Sequence, residues 1–307
     1  MKILLTGAAG FLAHSCLKDL YARGHQVVTT DLRGQVDYLG DLADAGFCAQ
    51  LPAVDAVVHT AAVQYVSYNL PLIKREEYFQ RNNVQATRNL CSRYEKDKDT
   101  HFVNIGTSMM YDQNGSEVYS TDSAMNEQQG VYSRTKLAAQ AFVDALPNRK
   151  VTIIPPIIGG IGREGLFRPF VTMVKRFGVV VVPGPGRHKI SVVHVDDAAS
   201  MIGNAVDRGI TGLFNVAAPE PLSIVEWAEV IRDKLAVPRV RYVHLPLMPL
   251  WLVSWLTGYR VLAREQLLML AQPHVLEIEE SLATGWRPRF DSEQVVREIV
   301  HAIGGGA

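Results

Sequence analysis

The chain has 307 residues, and at roughly one domain per 150 residues it is sized for about two structural units. Apolar residues make up 48%, enough for a sizeable core, while Lys+Arg and Asp+Glu both number 31, so the basic excess of a nucleic-acid-binding protein is absent. Cys16, Cys48 and Cys91 cannot all pair and none has a C-x-x-C partner, which argues against a disulfide scaffold or structural zinc, and Met1 leads into a strand rather than a leader pattern, so a cytoplasmic protein is expected.

Short apolar runs alternate with helical patterns along the first half. Lys2–Thr6, Gln26–Thr30, Ala56–Thr60, His101–Gly106 and Val151–Ile154 read as strands. Gly10–Ala22, roughly Glu77–Tyr94, and Val131–Ala145 read as the helices between them. The strands are apolar throughout rather than alternating, as expected where helices cover both faces. This order predicts an α/β fold, a doubly wound parallel sheet of Rossmann type. After Pro155-Pro156 the texture changes: Gly159, Gly160, Gly162 and Gly165 cluster, then Phe167–Arg176 reads as a helix and Ile190–Val193 as a strand. Asp196-Asp197 are candidate caps for the next helix, Ser223 to Glu226 forms a capping box, and Asp291 caps a last helix through His301. Residues 1–155 are thus read as a dinucleotide-binding domain and 156–307 as a smaller, mostly helical lobe, some of whose segments return to the main sheet.

The near-apolar run Leu245–Leu256 is too short for the roughly 20 residues that span a bilayer. It reads first as a helix buried in the small lobe or at a subunit contact. Lining a pocket for a greasy substrate, or lying on a membrane surface, are the alternatives.

Three groups of residues carry chemistry. Thr6-Gly7-Ala8-Ala9-Gly10-Phe11-Leu12-Ala13 joins the first strand to the first helix. Gly7 permits the tight turn, Gly10 lets backbone amides approach a pyrophosphate, and a small Ala13 lets strand and helix pack closely. Asp31, 21 residues after Gly10, ends the second strand, where a carboxylate bonds an adenosine ribose and repels a 2′-phosphate. That favours NAD over NADP, though Arg33 lies close by. Asp41-Leu42 could place a carboxylate near the adenine amine, and loop capping explains Asp41 almost as well. Tyr132 and Lys136, at i and i+4, share a helix face, and an ammonium near a phenol lowers its pKa towards a useful base. The spacing alone is not diagnostic, since Tyr94 and Lys98 repeat it in a charged stretch. Thr107-Ser108 at the carboxyl edge of the sheet supplies the third element.

With these motifs, His59-Thr-Ala61-Ala62, Asn83, Tyr111, Pro156, Val193-His-Val-Asp-Asp197 and Gly285-Trp-Arg-Pro288, the chain resembles the extended short-chain dehydrogenase/reductases, specifically the NAD-dependent epimerase/dehydratase group. The resemblance implies Tyr132 as acid/base, Lys136 as ligand of the nicotinamide ribose and tuner of Tyr132, and Thr107 as the hydroxyl orienting the reacting oxygen. It also implies a cofactor groove lined by Gly7, Ala9, Gly10, Phe11, Leu12, Asp31, Asp41, Leu42, Ala61, Ala62, Asn83, Pro156 and Ile158. His59 and His194 read as packing residues, with no spacing for a metal site. Sugar 4,6-dehydratases of the family carry Asp-Glu where this chain has Ser108-Met109. The expected substrate is a nucleotide sugar, with Ser108, Arg163, Arg168 and Arg187 as candidate contacts. Pro155 in place of the family's Arg, Asp112 in place of Gly, and the lack of an Arg-Pro-Gly-Asp stretch weaken that expectation, and the Leu245–Leu256 run with Trp251 and Trp255 resembles 3β-hydroxysteroid-dehydrogenase-like members, which implies a hydrophobic alcohol as the alternative. A non-catalytic NAD sensor is the alternative outside enzymes. The resemblance further implies a homodimer through the helices around Val84–Leu90 and Leu137–Val143.

Overall fold

In a computed structural model, residues 1–65, 70–71, 73–126, 130–163, 167–258 and 263–304 are described; Gly165 of the predicted glycine cluster lies outside them. The apolar runs form seven parallel strands, β1 (Lys2–Thr6), β2 (Gln26–Asp31), β3 (Tyr38–Leu39), β4 (Ala56–His59), β5 (His101–Ile105), β6 (Lys150–Ile154) and β7 (Gly212–Asn215). Their order is β7-β6-β5-β4-β1-β2-β3. The chain winds outward one way from β1 to β3 and the other way from β4, so a switch point opens between β1 and β4 at their carboxyl ends.

Burial on both faces accounts for the unbroken apolar strands. Ile3 and Leu5 pack among side chains of the Phe11–Ala22 and Val195–Arg208 helices, while Leu4 between them packs with Leu90, Tyr94 and Val143 on the opposite face. The C-terminal part has a second core of its own, in which Phe167, Val171, Val182, Trp227 and Ile299 meet. Even so, β7 and the Val195–Arg208 helix, both beyond residue 155, belong to the main sheet's layers.

Two of the predicted helix starts are built as expected. Ser223 Oγ accepts from Glu226 N at 3.3 Å while Ser223 N donates to Glu226 Oε2 at 2.7 Å, and Asp291 Oδ1 accepts from Gln294 N at 2.7 Å. The expected Asp196-Asp197 cap is corrected. His194 Nδ1 accepts from Asp196 N at 3.2 Å and serves as the cap. Asp197, fully buried, instead accepts from Phe290 N at 3.0 Å and Arg289 Nε at 3.3 Å, and its carbonyl accepts from Trp286 Nε1 at 3.1 Å. The Val193–Asp197 and Gly285–Pro288 motifs, some 90 residues apart, thereby clasp each other.

The expectation of a buried helix in the apolar run is also corrected. Residues Leu247–Leu256 are helical, but Met248 is 80% and Trp255 64% exposed, and the side chain that is buried is Ser254. Apolar residues surround the whole helix, so packing any one side leaves the others in water. Replacing Asp197 by alanine should cost about 2 kcal/mol of unfolding free energy in urea, because the Phe290 amide loses its acceptor.

Candidate active site

The site is assembled where β1, β4, β5 and β6 end. Gly7 adopts φ +69°, and a Cβ there would lie 2.7 Å from the Ala61 Cα, so both the turn and the approach of the β4 loop demand glycine. Gly10 N closes the turn on Gly7 O at 2.8 Å and Ala13 is fully buried against the strands. The Phe11–Ala22 helix has Gly10 as its N-cap with no side-chain cap, leaving its first amides for an anion. Asp31 Oδ2 accepts from Ala9 N at 3.0 Å and Oδ1 from Arg33 N at 3.2 Å, so the strand-end acid shapes the phosphate turn. Asp41 caps its loop through Ala43 N at 2.8 Å and pairs with Arg81, and Leu42 is buried under the helix that carries Asn89. Pro156 and Ile158 lead into the wall opposite Phe11, where a Cβ on Gly160 would lie 3.4 Å from the Phe11 ring.

Tyr132 sits in the first turn of the Val131–Asp144 helix, packed edge-on between Tyr65 and Phe79 at centroid distances of 5.9 and 6.3 Å. Burial pushes its phenol up to about 12, against the pull of the Arg163 guanidinium and a hydrogen bond with Thr107. Thr107 is itself held at the end of β5, its Oγ1 accepting from Met109 N at 3.4 Å. Lys136, one helical turn on, donates from Nζ to Ile105 O at 2.6 Å, and burial draws its ammonium down to about 8. The Arg163 guanidinium draws the phenol down, while Lys136, the cation expected from the i, i+4 spacing, has its ammonium on the Ile105 carbonyl. Arg163 donates to Gln64 Oε1 at 2.5 Å and lies over the Phe11 ring at 5.6 Å, between the phosphate turn and Tyr132.

Asn83 lies in the π-helical stretch Gln80–Gln85 and grips the loop after β4. Its Oδ1 accepts from Val63 N at 2.8 Å, and its Nδ2 donates to Val63 O at 3.2 Å and Thr135 Oγ1 at 3.1 Å. That fixes Ala61 and Ala62 beside the turn. His59 is a packing residue: its ring lies 2.8 Å from both the Thr6 and Thr87 hydroxyls, and burial lowers its pKa to about 3, so it is neutral. His194 stacks on Phe290 and meets Glu298, and among the described residues no group of three His, Cys, Asp or Glu could hold a metal ion.

The remaining candidates separate. Ser108 Oγ lies 2.7 Å from His274 Nε2, a fully buried ring held neutral with a pKa drawn down to about 4 by burial. Arg168 and Arg187 are solvent-exposed, at the start of the Arg168–Phe177 helix and after the Val179–Pro183 strand, in contrast to the largely enclosed Arg163.

Sequence reading missed Glu265. This carboxylate, 2% exposed, reaches from the Arg264–Ala271 helix to the start of the Val131–Asp144 helix. Its Oε1 accepts from Ser133 N at 3.0 Å and Ser133 Oγ at 3.1 Å, and its Oε2 from Tyr65 OH at 2.8 Å. Tyr65 OH in turn accepts from Tyr132 N at 3.1 Å. A Cβ on Gly130 would fall 2.0 Å from Glu265 Oε2, so this glycine clears the carboxylate's path. No local pattern marks Glu265, because its partners lie 132 and 200 residues away.

The model of the family described as NAD dependent epimerase/dehydratase matches residues 3–217. Among curated proteins, the 3 beta-hydroxysteroid dehydrogenase/Delta 5-->4-isomerase of Mycobacterium tuberculosis is 26% identical over 280 residues, covering 79% of this chain and 74% of that protein. Among solved structures, the human epimerase family protein SDR39U1 with NADPH superposes with a TM-score of 0.79 at 20% identity, covering 98% and 99% of the two chains. The Thermus thermophilus UDP-glucose 4-epimerase complex with NAD gives 0.75 at 18%, covering 100% of each.

Two outcomes test this site. Glu265→Ala should lower stability by about 3 kcal/mol, measured by chemical unfolding, since three donors lose one buried acceptor. Removing the Arg163 charge leaves burial less opposed, so the phenol pKa rises further. In Arg163→Gln the rise of kcat/KM with pH for alcohol oxidation should therefore move to higher pH, by roughly one unit or more.

Proposed function

The chain belongs to the NAD dependent epimerase/dehydratase family, and from that premise we propose that it moves hydride reversibly at a secondary alcohol carbon, as a dehydrogenase or reductase. It is an enzyme of the extended short-chain dehydrogenase/reductase type. The observation that supports this reading best is the approach of Thr107 and Arg163 to the buried Tyr132 phenol, whose pKa both lower, beside a glycine turn whose helix end carries no cap of its own. A capless amide terminus, a glycine that leaves room at Ala61 and a strand-end carboxylate suit a dinucleotide. Gly7, Ala9, Gly10, Phe11 and Leu12 would hold its pyrophosphate, Asp31 the adenosine ribose, and Lys136 the nicotinamide ribose. When bound, NAD accepts or returns the hydride.

The protein's own groups handle the oxygen. Thr107 donates its hydroxyl to the substrate oxygen and fixes it in line with the phenol. In oxidation Tyr132, as phenolate, takes the hydroxyl proton while the carbon loses hydride, and a carbonyl results; in reduction the phenol returns that proton. A phenol at about 12, with the pull of Arg163 already counted, disfavours the phenolate by roughly 3 kcal/mol relative to one at 10, and without that charge the penalty would be larger. Lys136, anchored on Ile105 O, keeps its position on the helix face one turn from the phenol. Water elimination of the sugar-dehydratase type is disfavoured, because Ser108 is bonded to His274 and Met109 has no titratable group.

On the substrate we depart from the nucleotide-sugar expectation and favour a hydrophobic secondary alcohol or its ketone. The exposed positions of Arg168 and Arg187 leave Arg163 as the half-buried cation of the three, and the curated relative is named for a hydroxysteroid. We read the residues beyond 155 that do not join the sheet as the substrate lobe, and further propose a cytoplasmic homodimer through the Ala86–Tyr94 and Val131–Asp144 helices.

Tyr132→Phe should abolish turnover, by about a thousandfold or more, while NAD affinity by calorimetry stays within a fewfold of the parent. With NAD present, a thermal-shift screen should show stabilisation by hydrophobic secondary alcohols rather than by UDP-, GDP- or dTDP-sugars. A shift confined to a nucleotide sugar would reverse the substrate assignment.

A further inference from the structure

The Leu247–Leu256 helix presents a surface that the catalytic reading leaves unused. Met248, Leu252, Trp255 and Leu256 are 80%, 55%, 64% and 68% exposed, and no charged residue interrupts the helix. The strand before it, Arg241–Leu245, adds exposed Val243 and Leu245, and its parallel partner Val179–Pro183 follows exposed Phe177. Isolated exposed apolar side chains are ordinary; a contiguous run of them is a contact surface.

The charges of the two flanking sequence segments are one-sided, while Glu229 and Asp233 of the Ile224–Lys234 helix approach Tyr242 of the strand. In a chain with equal totals of acid and base, residues 168–188 carry four Lys/Arg and no Asp/Glu, and residues 235–264 carry another four and none. These two segments are neighbours in space, joined through the Arg241↔Val179 to Leu245↔Pro183 register and by Arg241 N donating to Gly178 O at 2.8 Å. Lys175, Arg176, Arg187, Arg239 and Arg241 are exposed.

From this pairing of an apolar helix with a cationic surround, we propose that the Leu247–Leu256 helix docks in the plane of an anionic lipid surface. The helix is only ten residues long, and among the described residues no helix is long and apolar enough to cross a membrane, so it lies in the interface. Its tryptophans suit the headgroup boundary, and the flanking cations suit anionic headgroups. A second copy of the chain is the poorer fit, because a two-fold contact about this helix would set cationic flanks against each other. The proposal stands apart from the reaction and does not depend on it.

Vesicle flotation tests it directly. The protein should float with vesicles of phosphatidylcholine and phosphatidylglycerol, with a blue shift of tryptophan emission, and raised salt should weaken the binding. Trp227 and Trp286 are buried, so the change should report the two tryptophans of the helix. The triple variant Met248→Ser, Leu252→Ser, Trp255→Ser alters exposed positions; it should keep the parent's melting temperature and circular dichroism yet lose flotation. A parent that stays at the bottom of the gradient overturns the proposal, as does a folded variant that floats equally well. A parent dimer in light scattering that the variant splits, with no flotation, assigns the surface to a second copy and overturns it too.

Discussion

A buried carboxylate between the two parts of the chain sets the geometry on which the chemistry depends. The catalytic helix begins at Gly130 with no side-chain cap of its own, and Glu265 takes that place from outside, bonding Ser133 and Tyr65. An anion at a helix N-terminus is favoured by the dipole as well as by the free amides, which offsets the cost of removing a carboxylate from water. Because Tyr65 also receives the Tyr132 amide, the phenol, its packing partner and the second part of the chain share one network. A displacement of the Arg264–Ala271 helix would reach Tyr132 through two hydrogen bonds. A movement in the C-terminal part therefore has a direct route to Tyr132.

That network carries an electrostatic cost. Glu265 and burial both push the phenol upward, and Arg163 and Thr107 oppose them. The same enclosure that buries Tyr132 thus works against its ionisation, and a cation at close range opposes that effect. Lys136 is poorly suited to this alone, since its own ammonium is disfavoured by burial and its hydrogen bond goes to the β5 carbonyl. A guanidinium keeps its charge under burial more readily than an amine drawn down to about 8, which is a physical reason for an arginine at position 163. Its place over the Phe11 ring also closes the groove between phosphate turn and phenol.

The parts of this arrangement legible in the sequence are those fixed by local rules. β1, the Gly7 turn, Asp31 and the Tyr132 helix each follow from strand length, backbone freedom or helical spacing, and each lies where those rules put it. The capping box at Ser223 is equally local. Contacts made across the fold were not legible. Glu265, His274 and the Asp197–Phe290 clasp join segments separated by scores of residues, with no periodicity to announce them. Asp196 and Asp197 show how a local rule fails: both are good capping residues, but the distant Phe290 amide and the nearby His194 ring claim the roles that spacing alone would give them.

The apolar run at residues 245–256 failed for a different reason. Composition says that such a segment avoids water, and within one chain avoidance means burial. A helix apolar on every side needs partners on every side, and the second core is already filled by Phe167, Trp227 and the Ser292–Gly304 helix. The side turned inward carries Ser254, whose hydroxyl finds no hydrogen-bond partner among the described residues, so the inward packing is the less favourable one. The large side chains point outward instead, at a substantial cost in water that a lipid surface would remove. Their clustering on one short element, in a stretch of chain whose charges are all cationic, is the arrangement expected when the missing partner is an interface rather than another part of the same core.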